Sequence, residues 1–152
     1  MEKKYVIINA DDFGMCHSHN VATKELFQCG GISSSTIMAP CSWCKEAVAF
    51  AVEHPEYAIG VHLTTTSEWK NYRWGPVSAE NSDSLRDQEG YFFHESDEFE
   101  KHASDEQIAV ECKAQIEKLK TLGLNPSHLD NHMGSLYGIE TGRLSLLQQT
   151  VD

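Results

Sequence analysis

The chain reads as an α/β protein built on a parallel sheet, and three observations predict it. Segments of strand character alternate with segments of helical periodicity along most of the sequence. Two of the strand segments, Tyr5-Val6-Ile7-Ile8 and residues 58–63, are apolar runs, as expected of strands covered by helices on both faces. Acidic residues and histidines follow on or close these runs, which suits a fold whose ligands gather at the C-terminal ends of its strands.

The elements follow in order. Tyr5-Val6-Ile7-Ile8 is the first expected strand, stopping at Asn9-Ala10-Asp11-Asp12. A helix over residues 18–29 carries Val21, Ala22, Leu26 and Phe27 on one side and ends at Gly30-Gly31. Residues 34–39 read as a second strand. Ser42 then serves as the N-cap of a helix to about residue 52, with Trp43, Ala47, Val48, Phe50 and Ala51 on a broad apolar face and Pro55 beyond its end. Residues 58–63 form the third strand, which carries His62 and leads into Thr64-Thr65-Thr66.

Residues 67–103 break the rhythm as a long insertion, with Trp69, Tyr72, Trp74, Tyr91, Phe92 and Phe93 set among polar and turn residues. Loops of this length in a compact domain are usually functional. Its aromatics either stack on a flat ligand face such as a sugar ring or pin the loop to the body, and the sequence leaves both open. Ser104-Asp105-Glu106-Gln107 fits a capping box opening a helix with Ile108, Cys112, Ile116 and Leu119 along one stripe, stopped by Gly123. Residues 127–130 read as a short fourth strand, followed by Asn131-His132-Met133-Gly134, and residues 139–151 as a last helix. The whole of residues 1–152 is expected to form a single domain.

Composition narrows the function. Hydrophobic residues at 40% and charged residues at 23% are those of an ordinary globular domain, so no disordered or fibrous class is entertained. A formal net charge of −11, with no lysine or arginine cluster to offset it, argues against nucleic acid as a partner. No apolar run is long enough to span a bilayer and the first residues lack a leader pattern, so a cytoplasmic protein without a membrane partner is expected. The five cysteines form an odd count without framework spacing, which suits a reducing compartment.

Right-handed βαβ crossovers place the C-terminal ends of parallel strands on one rim. Three expected strands meet that rim with potential metal ligands: the first at Asp11-Asp12, the third at His62, and the fourth at His128, Asp130 and His132. A carboxylate with two neutral imidazoles is a common facial set for zinc or another first-row divalent ion, leaving positions for water and substrate. The adjacent aspartates leave the strand in different directions, so one can ligate the ion while the other faces the reacting water. Taken singly, each residue has a structural reading as well: a paired aspartate often caps a helix, and a lone strand histidine is commonly a bonded core residue. His17, His19, His54, His94 and His102 lack such a pattern and are read as solvated or structural. A rival enzyme class comes from Cys41-Ser42-Trp43-Cys44, a C-x-x-C at an expected helix N-terminus, the setting of a thioredoxin-like redox module.

Three blocks carry a family resemblance. Asn9-Ala10-Asp11-Asp12-Phe13-Gly14, Gly60-Val61-His62-Leu63-Thr64 and Pro126-Ser127-His128-Leu129-Asp130-Asn131-His132 resemble, in the same order, the signature segments of the YdjC/ChbG-like carbohydrate deacetylases. The resemblance implies an irregular (β/α) barrel that deacetylates N-acetylated amino sugars or oligosaccharides with a divalent metal ion, zinc or magnesium. It implies that Asp12, His62 and His132 bind the metal, that Asp11 is the general base, and that His128 and Asp130 orient ligands or substrate from behind.

Two departures from the family pattern accompany it. His132 is followed by Met133-Gly134-Ser135 where many members have a further histidine, which points to a distinct subgroup. Members also continue past the position of Asp152 with the remaining strands and a late histidine resembling the general acid. The expectation is therefore a barrel incomplete at its C-terminus, with an exposed sheet edge that invites homo-oligomerisation. A metal- and sugar-binding domain without catalysis is the non-enzymatic alternative.

Overall fold

The computed structural model describes residues 3–79 and 82–151. Among the described residues, four strands, β1 (Asn9–Phe13), β2 (Ser34–Ile37), β3 (Ala58–Leu63) and β4 (Leu129–Asn131), pair side by side in chain order, all parallel. Helices α1 (His17–Gln28) and α2 (Cys44–Glu53) make the first two crossovers; α3 (Ser96–His102) and α4 (Asp105–Thr121) lie between β3 and β4, and α5 (Ser145–Val151) closes the order. The sheet is open, with β1 and β4 at its edges, the arrangement of an incomplete (β/α) barrel. No helix among the described residues is long and apolar enough to cross a membrane.

Buried side chains explain why these segments fold where they do. Ile37, Ile59, Val61 and Leu63 of the central strands join Phe13, Phe27, Phe50, Ile108 and Leu119 in one core. Gly60 is required by a close approach, because a Cβ there would stand 2.4 Å from the His128 carbonyl oxygen beside β4. The Ser104 cap forms, its hydroxyl accepting the Gln107 N–H at 3.3 Å, but the reciprocal half of the expected box does not: the Gln107 side chain accepts from Ser84, and the Ser104 amide donates to the Ser84 hydroxyl. At the other end of α1, the Gly30 and Gly31 amides bond to the Phe27 and Leu26 carbonyls, with Gly30 at a φ of 72°.

Three element boundaries differ from the sequence reading. Tyr5, Val6, Ile7 and Ile8 are exposed and precede the first strand, which begins at Asn9. The ladder decides this: Asn9 pairs with Ser34, where β2 starts, and Ile8 before it bonds to Ser33 and Ser34. Helix α2 starts at Cys44 after Trp43, not at a Ser42 cap. The last helix starts at Ser145, because Gly138 and Gly142 hold φ values of 65° and 72° that helical residues do not take.

The expected insertion 67–103 includes residues 80–81, which lie outside the described ones, and its end is α3. It is anchored firmly elsewhere. Trp74, Leu85 and Phe92 are buried, and the Glu111 carboxylate of α4 accepts the Val77 and Ser78 amides at 2.9 Å each. Arg73 donates to Asp87, to the Phe92 carbonyl and to His94. Most of the loop's aromatics therefore pin it, while Trp69 stays half exposed.

Candidate metal centre

The first functional side chains are placed by a defect in the sheet. Along β1 the pairing steps from Ala10 opposite Ser35 to Phe13 opposite Ile37, so β1 spends one residue more than β2 over the same span. That bulge contains Asp11 and Asp12, and Asp12 has a φ of 61°. Aspartate tolerates this left-handed conformation better than most residues, and a bulge re-aims side chains that regular pleating would send to opposite faces.

Asp12 is thereby turned toward two buried imidazoles. Its Oδ1 lies 3.2 Å from His62 Nε2 and 3.0 Å from His132 Nδ1, and each of the three residues offers one ligand atom within 4.8 Å of the others. The two rings meet edge to face with centroids 5.4 Å apart. His62 comes from β3, whereas His132 sits in the tight turn that follows β4.

The far nitrogen of each ring is held by a further carboxylate. His62 Nδ1 donates to Asp130 Oδ1 at 2.5 Å, which follows from register because His62 and Asp130 pair directly across β3 and β4. The Thr36 hydroxyl of β2 donates to Asp130 Oδ2 at 2.9 Å and lies 3.2 Å from His62 Nδ1. His132 Nε2 donates to Glu68 Oε2 at 2.9 Å. Imidazoles that ligate metals commonly show this pattern, because a carboxylate on the outer nitrogen fixes the tautomer and ring orientation.

Behind these three residues, buried polar groups lock the strand exits together. Gln115 of α4 accepts the Thr64 amide at 2.9 Å and donates to the Thr64 carbonyl at 2.6 Å, fixing the chain just past His62. Thr65 and Ser135 share a hydroxyl bond of 2.7 Å, and Ser135 also donates to the His132 carbonyl. The two histidine-bearing segments are thus tied to each other through the Thr65 and Ser135 hydroxyls.

Electrostatics of the cluster are dominated by competition between burial and ion pairing. Burial favours the neutral form of Asp12, but hydrogen bonds from His132 and His62 outweigh it and hold the carboxyl well below its usual range. Burial likewise works against a charged His62, yet Asp12 and Asp130 raise its pKa to about 9. His132 is raised in the same way by Asp12 and Glu68, and the Glu68 carboxyl is lowered by His132 against the effect of its burial.

Asp11 and Asp130 are connected by Asn9, whose side-chain amide donates to Asp11 Oδ1 at 2.5 Å and to Asp130 Oδ2 at 3.3 Å. Asp11 is exposed at the edge of the centre. His128 is not brought to it: it precedes β4, bonds its neighbour Ser127 at 2.8 Å, and lines a cleft with Ser33, Ser34 and Ala58 at the N-terminal ends of β2 and β3. Asn9, Thr36 and Glu68 were not singled out from sequence. Asn9 stands at strand spacing from Asp11 and Thr36 lies in the expected second strand, which are faint signals; Glu68, in an irregular segment, leaves none.

The C-x-x-C pair meets different surroundings from those of a redox motif. Cys41 and Cys44 are free and buried, and burial, with Cys44 and the carboxylates of Asp12 and Glu68 adding to it, pushes the Cys41 thiol far above the range of a reactive cysteine.

Fold and site together define a class: a parallel α/β sheet with a candidate metal centre at the C-terminal rim of its strands. Comparison with known proteins narrows it. The YdjC-like protein family profile matches residues 5–147. The chain is 34% identical to a carbohydrate deacetylase of Thermus thermophilus over 88% of its own length and 46% of that protein's, and 33% identical to one of Clostridium beijerinckii over 84% and 49%. A crystal structure of an Enterococcus faecalis protein named for cellobiose-phosphate cleavage superposes with a TM-score of 0.78 at 33% identity, covering 94% of this chain and 52% of that one. The chain belongs to the YdjC-like family, and it spans about half the length of the curated relatives it matches.

Proposed function

We propose that this chain carries the metal centre and general base of a divalent-metal-dependent hydrolase, which removes the acetyl group from an N-acetylated amino sugar or oligosaccharide. One observation carries the reading: Asp12, His62 and His132 converge from three separate strand ends, and both imidazoles have their outer nitrogens fixed by carboxylates. The curated relatives named carbohydrate deacetylases support the substrate class.

The donor set fits the ion. Two imidazole nitrogens and one carboxylate oxygen suit zinc or another first-row divalent ion better than magnesium, which prefers oxygen ligands. Held by Asp12, His62 and His132, such an ion would supply Lewis acidity toward an amide carbonyl and make a nearby water more acidic. Asp11, exposed and oriented by Asn9, takes the proton of the attacking water as general base. Asp130 and Thr36 hold His62 in place, so that its Nε2 stays directed at Asp12. Five free cysteines support a reducing setting such as the cytoplasm.

Acetate release from N-acetylglucosamine oligomers, measured with added zinc or magnesium and with chelator, tests the reading. Activity lost on chelation and restored by the ion is expected. Binding of metal and sugar without acetate release under any ion would replace it with a non-catalytic sugar-binding role.

A further inference from the structure

Two histidines hold this centre, and the protein secures them in unequal ways. His62 lies in β3, a strand between β2 and β4; it pairs directly with Asp130 of β4, one residue past the last β2 pair at Val61, so its backbone is fixed by the sheet. His132 lies past the end of an edge strand, in a turn where Met133 and Gly134 take φ values of 55° and 65°. No ladder orients its ring. What does so is Glu68, from the start of the long excursion, whose Oε2 accepts His132 Nε2–H at 2.9 Å on the side of the ring away from Asp12.

We propose that Glu68 is a positioning residue for the metal centre: it holds the Nε2–H of His132, so that Nδ1 stays directed at Asp12 and, once its proton is displaced, offers its lone pair to the ion. The inference rests on Asp12, His62 and His132 being the ligands. Asp130 does the equivalent for His62 from the opposite nitrogen, so the two ligand histidines are each backed by one carboxylate, one supplied by the sheet and one by the loop.

The packing of the excursion is what delivers Glu68. Its neighbour Ser67 accepts the Trp74 amide at 3.0 Å, and the Trp74 indole donates to the Thr66 carbonyl at 2.8 Å. The buried Trp74 ring then lies edge-on to His132 with centroids 6.0 Å apart. Loop conformation and ligand orientation are therefore coupled through residues 66–74, and the half-exposed Trp69 stands next to the carboxylate that makes the link.

Cobalt(II) titration of the purified protein tests this, because visible absorption reports ligand geometry without any substrate. Glu68→Ala should weaken cobalt binding about 10- to 100-fold, measured by chelator competition, and alter the visible bands. Glu68→Gln keeps an oxygen acceptor without the charge, and should bind close to the wild-type value with a wild-type spectrum. Unchanged affinity and spectrum in Glu68→Ala would overturn the assignment. So would equal losses in both variants, which would make charge the determinant, or a fall in the metal-free unfolding midpoint large enough to account for the loss. Failure of the wild-type protein to bind cobalt would instead bring down the metal-centre reading itself.

Discussion

Adding a divalent ion to the metal-free protein near neutral pH should expel protons. The His62 ring is buried, with Asp12 Oδ1 3.2 Å from Nε2 and Asp130 Oδ1 2.5 Å from Nδ1, and its pKa is raised from the ordinary 6.5 to about 9. His132 is raised as well. His62 therefore holds a proton at neutral pH on the nitrogen that an ion would need, and the shift of His132 works in the same direction. Each ion bound should release one proton from His62, and up to one more from His132. Affinity should then rise with pH, by up to tenfold per pH unit for each proton displaced, and the contribution of His62 should level off above about pH 9.

The same shift acts on folding with the opposite trend. A pKa raised on folding stabilises the metal-free protein fully below about 6.5, and that stability is lost as pH rises through about 9. The ceiling from His62 is roughly 3 kcal/mol, shared with its two carboxylate partners. Asp12 works in the other direction: its lowered pKa contributes stability above its ordinary value, lost only in strong acid. Titration calorimetry with cobalt, in buffers of different protonation enthalpy, counts the protons, and urea unfolding with chelator across the same pH range follows the stability. A proton count near zero, together with affinity flat between pH 6.5 and 8.5, would refute the account.

Three other outcomes are expected. Asp11→Asn should leave metal binding intact while cutting acetate release about 10²- to 10⁴-fold, whereas His62→Ala should lose the metal too; metal analysis separates the two, and near-full activity of Asp11→Asn would remove Asp11 as the base. Gly60→Ala should cost about 1–3 kcal/mol in urea unfolding and weaken metal binding, since the added Cβ meets the His128 carbonyl at 2.4 Å and pushes β4, with Asp130, away from His62; a variant as stable as wild type would show that β4 yields freely. Cys41 should resist alkylation in the folded protein at neutral pH and react once unfolded, because burial raises its thiol pKa; rapid modification of the native protein would revive the redox reading.

Local signals in the sequence were sufficient for much of this molecule. Helix punctuation identified α4 from the Ser104 cap and ended α1 at Gly30-Gly31, since capping and left-handed turns depend on neighbouring residues alone. The alternation of strand and helix implied a parallel sheet, and that implied a common rim for Asp12, His62 and His132. Residue types and chain order decide these things, so they can be read without coordinates.

Pairing between distant segments decided the rest. Tyr5-Val6-Ile7-Ile8 has the composition of a buried strand, yet the ladder opposite it begins only at Ser34. His128, Asp130 and His132 share one strand spacing, but β3–β4 register places Asp130 against His62 and leaves His128 toward the far ends of the strands. The β1 bulge that aims Asp12 and the loop packing that brings Glu68 to His132 likewise have no local signature. Periodicity encodes which face a side chain takes; its height along the sheet is set by long-range register, and that is a property of the folded chain as a whole.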